Sequence, residues 1–260
     1  MTALLVPLLL KVLLTAAIVV AASVVVERSG PFIGSLIASL PTAGGAALII
    51  LALEHPPSFV AQSMIGSVVA NAVCAVFALV YAALAQRNSL AVSLGSAYGV
   101  WFLAVYAARF VDWTMARAVL LSAIVFPLTI IAGRHFRVVG TAKRISLTAK
   151  DLAGRAIVVT VCVITVTAAA ASIGSFVSGI FVFFPVAMGS FFIILHTRVG
   201  GPIAASVAAH VQVPLIGLGL GLLTVYLLAE PAGVWWAYGL GLCVGLGWNV
   251  MLWLVRQRRR

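Results

Sequence analysis

The sequence predicts an all-α integral membrane protein of about nine transmembrane helices with an inverted internal repeat, and three observations carry that prediction. The composition is too apolar for a water-soluble globule, the apolar runs are long enough to cross a bilayer, and the chain matches itself at an offset of 144 residues.

With 64% apolar and 8% charged residues and a mean hydropathy of +1.23, too little polar surface exists to cover a particle in water. The net charge of +11 does not point to nucleic acid, because the Lys and Arg residues sit in short loops and at the C-terminus. They read as topology signals and as contacts to anionic lipid headgroups, at the loop 134–155 and at the C-terminal arginines. Cys74, Cys162 and Cys243 each fall within an apolar run, where a thiol behaves as a small hydrophobe, and no disulfide is expected. The N-terminal stretch lacks a basic n-region and is too long for the apolar core of a signal peptide, so it reads as a retained span.

A helix crossing a hydrocarbon core of about 30 Å needs about 20 apolar residues. Runs meeting this requirement cover 4–26, 31–53, 58–85, 90–108, 113–133, 156–172, 175–196, 202–229 and 234–255. Lipid satisfies no backbone hydrogen bond, and the runs are too long and too evenly apolar for barrel strands, so each is expected to be helical. The densest basic cluster is Arg134, Arg137, Lys143, Arg144, Lys150 and Arg155, followed by Arg256, Arg258, Arg259 and Arg260. Placing both in the cytoplasm predicts a multi-pass protein of a bacterial inner membrane with its N-terminus outside and its C-terminus cytoplasmic. Arg28, Arg87 and Arg198 then fall inside, and Glu54, His55 and Glu230 outside. The loop with Arg109, Asp112 and Arg117 falls outside against the charge rule. Between Arg134 and Arg155 the heptad spacing of Val138, Ile145 and Leu152 suits an interfacial helix, and the composition suits a solvated basic loop equally well.

Sliding the chain by 144 residues sets the segment from Ser29 against that from Ile173, with eight identities in 25 positions. Gly30, Phe32, Pro41, Ala43, Gly45, Ile49, Ile50 and Leu51 meet Gly174, Phe176, Pro185, Ala187, Gly189, Ile193, Ile194 and Leu195. Spans one to four then pair with six to nine, five apart in count, and an odd difference makes the repeat inverted. The chain divides into a first four-helix repeat (1–110), a connector helix with a basic cytoplasmic loop (111–150) and a second, inverted repeat (151–260).

A Lys at the start of span one (LLLKVLLTAAIVV), a basic residue before a short turn (ERSG) and a second span reading IGSLIASLPTAGGAALI resemble the GlpM family of small bacterial inner-membrane proteins. The resemblance covers roughly residues 8–84 and implies two such units fused in opposite orientations. It brings no assigned chemistry, and the second half departs from it in lacking the basic residue before the turn (AAAASIG).

Pro41 and Pro185 stand near the middles of spans two and seven, each followed at the fourth position by Gly45 or Gly189. Paired interruptions of this kind either free carbonyls for a substrate site or form simple kinks satisfied by neighbouring helices. Lys11, about seven residues into span one, needs a partner, a water-filled cavity or a path to the headgroups. Gln62 and Ser63 precede Ser67 and Asn71 on span three, and Ser206, His210 and Gln212 lie on span eight. Ser63, Ser67 and Asn71 share a helix face, expected to point into the bundle as interhelical hydrogen-bonding groups or as a cavity lining. His210 is the single group able to titrate near neutral pH inside the bundle, which makes it either the candidate for proton coupling or a structural hydrogen-bond donor. The Gly217/Gly221, Gly241/Gly245 and Gly95/Gly99 pairs predict close helix approach, and Trp101, Trp113, Trp235, Trp236 and Trp253 read as interfacial anchors.

These features predict a secondary transporter or flippase-like carrier of a small molecule or lipid, its pathway between spans two, three, seven and eight, with no cofactor or metal. The competing class is a non-catalytic membrane assembly or accessory protein. An enzyme is disfavoured, because no intramembrane pair of acids or His cluster is present for acid–base or metal work.

Overall fold

A computed structural model of the chain describes residues 42–137 and 148–258. The described residues are helical throughout their regular structure: α1 (Thr42–Glu54), α2 (Pro57–Leu84), α3 (Leu90–Ala108), α4 (Met115–Gly133) with a 3-10 turn at Arg134–Phe136, α5 (Ala149–Val182), α6 (Val186–Val199), α7 (Gly201–Leu228) and α8 (Val234–Arg258). Six helical stretches among the described residues are long and apolar enough to cross a bilayer, and the fold is that of an all-α, membrane-embedded protein. The expected span at 4–26 and the first part of that at 31–53 lie outside the described residues. So does most of the basic segment, of which the turn at Arg134–Phe136 and the start of α5 are described.

Local chemistry sets the helix starts. Pro57 opens α2, where a missing N–H costs nothing because the first turn has no intrahelical acceptor for it. The Ser89 hydroxyl accepts from the Val92 N–H at the start of α3, and Thr114 accepts from the Arg117 N–H at the start of α4. Gly200, at φ 89°, turns the chain between α6 and α7 in a conformation that a side chain would strain.

The stretch read from sequence as one continuous span, 175–196, is interrupted. Gly174, in the gap expected between 156–172 and 175–196, leaves the helical region (φ 80°, ψ 166°), and within the second span the helix stops at Phe183–Pro185, where Pro185 has no N–H to continue it. The resulting α6 has 14 residues and is about 21 Å long, short of a hydrocarbon core of about 30 Å. In the first half the described part of α1, Thr42–Glu54, has 13 residues. Gly44 near its start approaches the end of α5: a Cβ there would stand 3.1 Å from the Phe183 ring and 3.2 Å from the Val182 carbonyl oxygen. α1 and α6 run to opposite ends of the bundle, and α6 begins within it.

α2 and α7 form the core. Ala85, at the end of α2, abuts Gly201, Ala75 bonds to Gln212, and Asn71 bonds to Leu215, so numbers rise along one helix as they fall along the other and the two pack antiparallel. Pro57 and Gly201, Leu84 and Leu228, and Leu90 and Val234 are each 144 residues apart. α3, α4 and α8 lie outside and turn apolar faces outward, including Leu103 (70% exposed), Leu120 (61%) and Trp236 (74%). In water such surface would be costly; in lipid it is the expected exterior. The packing gathers Arg87, Arg134, Arg137, Arg198 and Arg256 at one end of the bundle, and Glu54, Asp112 and Glu230 at the other. Arg109 and Arg117, in and beside the α3–α4 loop, share the acidic end, and Arg117 donates to the Asp112 carbonyl.

Candidate functional site

The polar face of α2 is the starting point. Ser63, Ser67 and Asn71, four residues apart, are all 1% exposed or less and line the crossings with α5 and α7. Ser67 Oγ lies 3.0 Å from the Ser63 carbonyl and 3.1 Å from that of Gly179 in α5, its single proton serving one at a time. Asn71 Nδ2 donates to the Leu215 carbonyl at 2.9 Å, and Gln212 Nε2 donates back across the same crossing to the Ala75 carbonyl at 2.9 Å. Both amide oxygens, Asn71 Oδ1 and Gln212 Oε1, are buried and have no partner among the described residues.

The broken stretch α5–α6 is held by side chains from α2 and α3. Gly179 receives Ser67, Phe183 receives the Cys74 thiol (3.3 Å), and Pro185 receives the Tyr98 hydroxyl (3.3 Å). One turn on, Tyr81 places its hydroxyl 3.4 Å from the Phe192 carbonyl and 3.0 Å from His196 Nδ1. Ser67 and Cys74 thus meet carbonyls freed at the break, as expected of a locked interruption, while the Pro185 carbonyl also accepts the Gly189 N–H at 2.8 Å.

A cavity of about 180 Å³ opens between α1, α7 and α8, bordered by Gly45, Leu48, Pro214, Gly221, Tyr238 and Gly245 among others. Its lining is almost wholly apolar; the Tyr238 hydroxyl donates to the Leu48 carbonyl at 2.8 Å. The residues 144 positions before Gly221, Leu242 and Gly245 are Phe77, Tyr98 and Trp101, and these rings pack with Phe184 and Phe192 in the opposite half. Aromatic side chains fill one half where small and aliphatic ones leave space in the other.

The predicted site residues do not converge on one place. Lys11 and Pro41 lie outside the described residues. Gly45 borders the cavity, Asn71 sits at the α2–α7 crossing, and Gln62 faces outward and is exposed. Pro185 and Gly189 lie against Tyr98, where a Cβ on Gly189 would collide with the phenol oxygen. His210, in α7, is near the basic end of the bundle; its Nδ1 is 2.7 Å from the Ser206 carbonyl. Among the described residues no group of three or more His, Cys, Asp or Glu side chains is placed to hold a metal ion.

Three features escaped the sequence reading. Gly66 and Gly179 let α2 and α5 approach closely: a Cβ on Gly66 would collide with the Phe176 carbonyl and one on Gly179 with that of Ser63. These glycines lie on different helices at no regular spacing, so no motif marks them. Trp101, expected at an interface, is fully buried against Phe102, Phe181 and Phe184. The Tyr81–His196 contact joins residues 115 apart. No family model matches the chain, and no curated protein or solved structure matches it either.

Proposed function

We propose that the chain is a secondary transporter or flippase-like carrier of a small molecule or lipid, built as nine spans in an inverted repeat, with residues 1–110 and 151–260 as its halves. The observation that carries this reading is the antiparallel α2–α7 core, in which Asn71 bonds to Leu215, 144 residues away, beside a span broken at Pro185, whose counterpart in the sequence is Pro41. The element ends 144 residues apart support the repeat. Discontinuous helices at corresponding positions of two inverted halves are a recurrent way to build a substrate site at the bilayer midplane. Helix N-termini carry partial positive charge, so a small anionic group is the substrate chemistry such ends favour.

On this reading the pathway runs between α1, α2, α6 and α7, the basic end of the bundle is cytoplasmic in a bacterial inner membrane, and the N-terminus is outside. The first half belongs to a GlpM-like type of unit, and anionic headgroups contact the 134–155 loop and the C-terminus. No enzymatic role or cofactor is assigned.

The experiment is reporter-fusion topology after Leu53 and after Thr197, followed by uptake of small anions and neutral solutes into proteoliposomes. Opposite sides for the two fusions, with uptake that Asn71→Leu reduces, sustain the proposal. Fusions on one side remove the inverted repeat and with it the main support for transport. The second reading, an assembly or accessory protein, is favoured by the way Ser67 and Cys74 close off the carbonyls freed at the break. It predicts opposite topology without uptake of any solute.

A further inference from the structure

The basic end of the bundle brings together two guanidinium groups and an imidazole that are distant in the chain. Arg137 follows the 3-10 turn and folds back on α7, where its Nη2 reaches the Ala209 carbonyl at 3.4 Å. Its Nε is buried without a partner among the described residues. The next residue on α7 is His210, whose Nδ1 hydrogen-bonds to Ser206, leaving Nε2 as the second polar atom of the ring.

α8 supplies the third group. It runs antiparallel to α7, with Gly241 against Gly221 and the Trp248 indole N–H donating to the Val213 carbonyl at 3.0 Å. Continued two turns, that register sets Arg256 beside Ser206, one turn from His210. The acids whose side chains are described, Glu54, Asp112 and Glu230, are at the other end of the bundle.

Partial burial lowers the Arg137 pKa from its ordinary value without discharging it, so a cation is held in a poorly solvated place. Two guanidinium cations, one with an unused donor, beside a neutral imidazole call for an anion. Trp253, one turn before Arg256 and 38% exposed, places the cluster at headgroup level, where aromatic belts lie.

We propose that Arg137, His210 and Arg256 form a specific binding site for the phosphate group of an anionic phospholipid. The proposal deepens, and rests on, the reading that this end of the bundle faces anionic headgroups; it is independent of transport.

The test uses the full chain in an uncharged detergent, with lipid binding read by native mass spectrometry and thermal unfolding. Phosphatidylglycerol should bind and protect where phosphatidylcholine does not. Arg137→Gln and Arg256→Gln should each weaken phosphatidylglycerol binding about tenfold, a loss of the size expected for one charge-assisted contact. Arg137→Lys should be intermediate, and Arg117→Gln, at the opposite end, should have no effect. Phosphatidylglycerol binding that survives both Gln variants overturns the site while keeping the headgroup reading. Failure of the wild-type chain to prefer phosphatidylglycerol overturns both. Equal protection by inorganic phosphate without any lipid preference assigns the cluster to a soluble anion and overturns the lipid assignment.

Discussion

Asn71 and Leu215 are 144 residues apart in the chain and joined in space, the Asn71 amide donating to the Leu215 carbonyl at 2.9 Å in the middle of the α2–α7 crossing. In an antiparallel pair related by a twofold axis, residues meet their own counterparts at the axis alone. That contact, with Gln212 reaching back to Ala75, is what the proposed inverted repeat requires of its central helices.

The crossing lends itself to a double-mutant cycle. Each amide donates to a carbonyl on the opposing helix, and intramembrane hydrogen bonds are worth about 0.6 kcal/mol on average and up to about 1.7. Asn71→Ala and Gln212→Ala should each lower stability by about 1 kcal/mol in a reversible unfolding assay. Because the two bonds share one interface, their combined effect should differ from the sum by a few tenths of a kcal/mol or more. Strict additivity would show that the two amides act separately.

Glycines that look alike in the sequence should separate sharply. Gly66→Ala and Gly179→Ala force a methyl into an opposing backbone carbonyl and should cost about 1–3 kcal/mol. Gly95→Ala and Gly99→Ala meet nothing within 4 Å and should be neutral or slightly stabilising, since alanine is the better helix former. Similar melting temperatures for all four would contradict the α2–α5 packing.

Trp101 and Trp236 form a second contrast. Trp101 is completely buried in an aromatic cluster, and truncation to Ala should cost about 3–5 kcal/mol, as for large core aromatics. Trp236 is 74% exposed, and Trp236→Ala should change the unfolding midpoint little. Iodide or brominated-lipid quenching should likewise reach Trp236 and spare Trp101.

The apolar cavity can be filled. Leu218→Phe adds volume to a lining position of the 180 Å³ space and should raise stability by about 1 kcal/mol if the space is a packing defect. Unchanged stability together with reduced uptake would instead mark the cavity as part of the pathway.

Much of this architecture was legible in the sequence because the bilayer leaves few choices. Apolar runs at 58–85, 90–108, 113–133 and 202–229 became α2, α3, α4 and α7 with ends moved by two residues or fewer, since lipid forces backbone hydrogen bonds inside each segment and its thickness sets a minimum length. The four-residue spacing of Ser63, Ser67 and Asn71 marked a buried face for the same reason: polar groups turn away from lipid. The tertiary structure decided what faces what. The carbonyls freed at the break before Pro185 are met by donors arriving from Ser67 and Cys74, which no local pattern around Pro185 contains. Gln62, polar and next to Ser63, points outward because one residue is a rotation of about 100° on a helix. Trp101 is core, Gly66 meets α5, and Arg137 reaches α7, because packing between helices distant in the chain is set by shape across the whole bundle, a quantity hydropathy and spacing do not encode.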